Sequence, residues 1–147
     1  FVLAAGYGGS HRVALGEAFL REASIAVELI LKAILCVKTK KAPPAKHDVY
    51  ELWSKPGLPL QSDNDSQRLS TMTETIYWSG GYAASVSDKH KEKSDERFRK
   101  HQRTESIGNL RVITPTAIGW DEFEMIYQKA ASHFWSLEPN DPKNFVA

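Results

Sequence analysis

The sequence predicts an all-α fold: an antiparallel, up-and-down bundle of about four to five helices, with a long polar excursion between the last two main ones. Three observations carry this. Apolar residues recur at helical steps over 12–38, 66–79 and 119–137. Proline and glycine pairs punctuate the chain at Pro43-Pro44 and Gly80-Gly81. No alternation of strands with helices suggests a parallel sheet. A chain of 147 residues with 41% hydrophobic and 25% charged residues forms one domain with a core of its own, here residues 1–147 with the core at about 12–137.

The first segment, 12–38, contains no proline. Leu15, Phe19, Ala23, Ala26, Ile30, Ala33 and Val37 fall on one face, and Ile25, Leu29, Leu31 and Leu35 widen it, so this helix is expected to be central. Ser10 is its candidate N-cap. Lys38, Lys40 and Lys41 suit its C-terminus. A short helix over about 47–54 opens at His47-Asp48 and stops before Pro56. Ser62, Asp63 and Asp65 offer caps and negative charge for the next start. Leu69, Met72, Thr73, Ile76 and Tyr77 then trace a stripe to about 79. Residues 82–118 exceed a bare loop. They read as a mobile excursion holding one exposed helix near 94–102 and an extended stretch at 110–114. The last helix, about 119–137, has Asp121 and Glu122 in its first turn and Phe123, Ile126, Tyr127, Ala130, Phe134 and Leu137 on one side. The expected core is Phe19, Ala26, Ile30, Ile76, Phe123, Ile126 and Phe134.

Several function classes find no support. The single cysteine, Cys36, excludes an intrachain disulfide and reads as a core thiol rather than a nucleophile. The five histidines show no metal-ligand spacing, so neither a metal nor another cofactor is expected. Gly6-Tyr7-Gly8-Gly9 lacks the Lys-Ser/Thr of a phosphate loop. The most apolar stretch, 23–37, is too short to span a bilayer and carries Glu28 and Lys32. No basic start precedes an apolar run as in a secretory signal. A cytoplasmic, non-membrane protein is the expectation.

The formal charge of +1 conceals blocks of +3 over 1–60, −3 over 61–88, +4 over 89–111 and −3 over 112–147. The third block is a solvated surface by composition alone. Its sharper reading is a phosphate-facing patch. Arg97, Arg99, Lys100 and Arg103 would contact RNA, with Phe98 and His101 stacking on bases.

REASIAVELILKAIL (21–35) followed by PPAKHDVYELW (43–53) resembles the HEPN domain family, in which a helix bearing E-x-x-L-K-A precedes a proline-rich turn and an H-D-L/V-x-x-L helix. Glu28, Leu31, Lys32 and Ala33 match the first element, and His47, Asp48, Val49 and Leu52 the second. IYWSGGYAAS (76–85) and TPTAIGWDEFEMIYQKA (114–130) are similar to later segments of one bacterial branch. The resemblance implies a helical bundle that dimerises and serves in conflict systems of the toxin–antitoxin kind. Its role would be a metal-independent endoribonuclease or a noncatalytic companion. A second copy, RNA, a nucleotide or a partner protein such as a nucleotidyltransferase are the partners it implies.

The nuclease branches use R-x(4–6)-H. Cleavage beside a 2′-hydroxyl needs a group titrating near neutrality, which suits His, and a fixed cation on the phosphate, which suits Arg. His133-Phe134-Trp135 mimics half of the motif, but Ile126, Tyr127 and Gln128 stand where the Arg would be. Arg97 and His101 have three intervening residues and would share a helix face. Neither pair satisfies the pattern. The expectation is a noncatalytic or degenerate module, with His133, Arg97 and His101 as the only catalytic candidates.

Glu28 and Lys32 lie in the most apolar part of the longest helix, where an unpaired charge would cost several kcal/mol. Three arrangements are open. Both emerge on a polar strip, or Glu28 accepts a hydrogen bond from His47 or Tyr82, or the pair lines a ligand pocket. Glu28, Lys32, His47, Asp48 and Tyr82 are therefore the candidate polar network.

Overall fold

The computed structural model describes residues 11–55, 57–59, 62–79, 88–101, 104–113 and 118–137. These form an all-α bundle: α1 (His11–Thr39), α2 (Val49–Ser54), α3 (Asp63–Ser79), α4 (Asp88–His101) and α5 (Trp120–Leu137), with one hairpin of β1 (Thr104–Ile107) and β2 (Leu110–Ile113) between the last two. The long helix α1 packs against α2, α3 and α5, and α3 packs in turn against α2 and α4.

The core joins Val27, Leu31, Ile34 and Leu35 of α1 to Val49, Leu52 and Trp53 of α2, Leu69, Met72 and Ile76 of α3, and Ile126 and Ala130 of α5. The expected core differs in phase on α1. Phe19, Ala26 and Ile30 are only half-buried, and the fully covered seam runs along Ala23, Val27, Leu31 and Ile34. Apolar residues surround α1 on nearly every side, so periodicity marks a buried helix without marking which face its neighbours take. Phe123 and Phe134 also sit half-buried, at the margin of the α1–α5 seam. There Phe123 meets Phe19 edge-on with ring centroids 6.0 Å apart. Cys36 is half-buried as well.

Local chemistry sets the element ends. Lys40 follows α1 at φ 53°, in the left-handed region, and its N–H donates to Cys36 O at 2.8 Å. Ser62 Oγ accepts from Asp65 N at 3.1 Å at the start of α3. At α5 the Glu122 carboxylate reaches back to accept from Gly119 N at 2.9 Å, the reciprocal half of a capping box. That bond, first among its causes, holds the Glu122 carboxyl below its ordinary value.

The described residues of the excursion form a helix and a hairpin. The helix begins at Asp88, earlier than the expected 94, and the extended stretch is one arm of the hairpin. Thr104 pairs with Ile113 and Ile107 with Leu110 across Gly108-Asn109. Gly108 sits at φ 61° as the first loop residue, where a two-residue hairpin of this hand takes glycine. Ser10, Gly80-Gly81, Tyr82 and Arg103 lie outside the described residues, as does the Phe98 side chain. No helix among the described residues is long and apolar enough to cross a membrane.

Candidate functional site

Two polar clusters flank α2. The first lies on α1. The Glu28 carboxylate, 7% exposed, accepts from Lys32 Nζ at 2.6 Å, one turn along the same helix. It also faces His47 Nδ1 at 3.0 Å, in the segment leading into α2. Of the three arrangements open to this pair, the geometry is that of a bridge fastening the α2 approach to α1.

The second cluster is built on Asp48. As N-cap of α2, Asp48 accepts from Glu51 N through Oδ1 at 3.0 Å. The neighbouring donor, Tyr50 N, is satisfied by Thr73 Oγ1 on α3 at 3.2 Å. Both Asp48 oxygens also receive the Arg97 guanidinium, NH1 to Oδ1 at 2.9 Å and NH2 to Oδ2 at 2.7 Å. This two-pronged geometry is the strongest that an arginine and a carboxylate form. Arg97 NH2 lies a further 3.4 Å from Glu51 Oε1, and the guanidinium carbon sits 4.6 Å from the centre of the Tyr50 ring. Lys93 pairs with Glu51.

One turn beyond Arg97, His101 Nδ1 lies 2.9 Å from Asp63 Oδ1, and its Nε2 lies 3.1 Å from Tyr50 Oη. A carboxylate only accepts, so Nδ1 carries the proton towards Asp63. With the ring neutral, Nε2 accepts the Tyr50 O–H. The result is a hydroxyl, an imidazole and a carboxylate in line, spanning α2, α4 and α3. Tyr77, on the same side of α3, has its phenol pushed above the ordinary value by burial first, then by the charges of Asp48 and Glu74.

Arg97 is thus 9% exposed and ion-paired, not the solvated charge that its run suggests. Its partner is 49 residues away in sequence. Arg99 and Lys100 are exposed. His133 belongs elsewhere, on α5. It lines an open groove of about 580 Å³ with Pro59, Met125, Gln128, Lys129 and Ser132, which shares no residue with the Asp48 cluster. Tyr50, Glu51, Asp63 and Lys93 are members that sequence reasoning passed over. The recurrence of Lys93, Arg97 and His101 every four residues marks Lys93, and no such pattern marks Tyr50, Glu51 or Asp63. Among the described residues no group of three or more His, Cys, Asp and Glu side chains could hold a metal ion.

No protein-family model, curated protein or solved structure matches the chain.

Proposed function

We propose that the chain is a noncatalytic helical interaction module of the HEPN type, acting as a homodimer. The observation that carries the noncatalytic reading is the Arg97–Asp48 pair. A cation that stabilises a phosphate must be free to meet it, and Arg97 directs both terminal nitrogens to a buried carboxylate at 2.9 and 2.7 Å. The dimer reading draws on large apolar side chains left open on α1 and α5: Leu29 at 61%, Trp120 at 57% and Trp135 at 61% exposure. A partner protein such as a nucleotidyltransferase, a nucleotide or RNA remains the candidate ligand, with Arg99 and Lys100 the exposed described members of the expected RNA-contacting set.

The test is incubation with single-stranded RNA in the absence of metal, using the parent, His101→Ala and His133→Ala. No protein should cleave above the protein-free background. Light scattering should give twice the 16.5 kDa chain mass at micromolar concentration. A monomer would remove the dimer.

A second reading, an endoribonuclease with an atypical site, is favoured by one observation. Asp63 orients the His101 ring and leaves Nε2 facing a hydroxyl, the arrangement of a general base. Cleavage by the parent that disappears in His101→Ala would establish it in place of the first.

A further inference from the structure

α4 has no apolar stripe. Of its 14 residues, Phe98 is the one hydrophobic type. Its buried described side chains are Ser94 and Arg97, and none of its described side chains belongs to the apolar core cluster. A helix that is polar nearly all round cannot be docked mainly by hydrophobic burial. Charge does that work here. Lys93, Arg97 and His101 share one face at four-residue spacing, and each meets a carboxylate on a neighbouring element: Glu51 and Asp48 at α2, Asp63 on α3.

We infer that α4 is an ionically latched helix. It lifts from α2 and α3 as a unit while the bundle of α1, α3 and α5 stays folded, and salt loosens it. The Lys93–Glu51 contact forms the outer part of the latch, since the Lys93 side chain is 49% exposed. Raising salt from about 0.1 M to about 1 M shortens the screening length from roughly 10 Å to roughly 3 Å, and it acts first on such a contact. The Arg97–Asp48 pair, with side chains 10% and 7% exposed, is the inner bolt. Lifting uncovers Asp48 and Glu51, 7% and 22% exposed, beside the already open Asp63 and releases Lys93 and Arg97 from them.

Hydrogen exchange read by mass spectrometry on the whole chain tests this. In the parent, the amides of 92–101 should exchange through a local opening that precedes global unfolding. About 1 M sodium chloride should speed that opening at least about threefold, the size expected for half-exposed ion pairs. Arg97→Gln should speed it about a hundredfold, because it strands a buried carboxylate. Lys93→Gln leaves the inner bolt in place and should speed it about threefold. The amides of 23–35 and 121–136 should not change in any of these. Four results would each overturn the proposal: α4 unprotected in the parent, α4 exchanging only with the whole bundle, a local opening indifferent to salt, or Lys93→Gln and Arg97→Gln both without effect.

Discussion

Removing the charge of Glu28 tests whether the polar bridge on α1 is a pair or two independent side chains. The Glu28 carboxylate is 7% exposed and the Lys32 side chain 14%, so Glu28→Gln leaves an ammonium largely cut off from water without its counter-charge. Breaking a buried ion pair from one side costs about 3–5 kcal/mol. Two features reduce that figure. The Gln carbonyl still accepts one hydrogen bond, and the long Lys stem can carry its head towards solvent. The expected loss is about 2–3 kcal/mol. Lys32→Met strands the carboxylate instead, which His47 still contacts at 3.0 Å, and should cost about the same. The double variant Glu28→Met/Lys32→Met strands neither charge, and the His47 ring is 37% exposed, so water can replace its lost partner. It should lie within about 1 kcal/mol of the parent. Urea unfolding followed by far-UV circular dichroism reads all four stabilities. A Glu28→Gln variant as stable as the parent, or a double variant that loses the sum of the two singles, would refute the reasoning.

Leu31→Ala and Met72→Ala, each at 0% exposure in the parent, should cost about 2–5 kcal/mol by the same measurement, whereas Leu29→Ala at the open face should change little. Asp65 supplies a pH dependence. Burial pushes its carboxyl up, but the hydrogen bond and charge of Lys129, with bonds from Arg68 and Ser62, outweigh this and hold it below its usual 3.8. A depressed folded value means a contribution that is complete above the unfolded pKa and is lost as pH falls through the folded one. The stability gap between the parent and Asp65→Asn should therefore be constant from neutrality to about pH 5 and shrink below it; a gap that persists in acid would show that Asp65 acts by packing alone. Lys40→Gly, at φ 53°, should raise stability by up to about 1 kcal/mol by relieving the left-handed backbone, and a lower melting temperature would refute this.

The sequence by itself determined the helical class and, for α1, α2, α3 and α5, the elements and their approximate ends. The reason is that caps and periodicity are local. Ser62 and Asp48 cap within three residues, at Asp65 N and Glu51 N, and Glu122 reaches back the same distance to Gly119 N. The stripe of α5 shows Ile126 and Ala130 because polar residues flank it. On α1 no such contrast exists, and only the arrival of α2, α3 and α5 decided that Val27, Leu31 and Ile34 are covered while Leu29 stays open. The hairpin escaped because two four-residue strands are too short for alternation to show, leaving Gly108-Asn109 as its one local sign. The Asp48 cluster divides the same way. Asp48 is legible as a cap, but composition makes Arg97 one of several solvated cations. What distinguishes it is a carboxylate held on another helix, with Tyr50 beside it and His101 one turn away. Burial of a charge depends on a partner brought in from a distance, and that distance is set only when the helices pack.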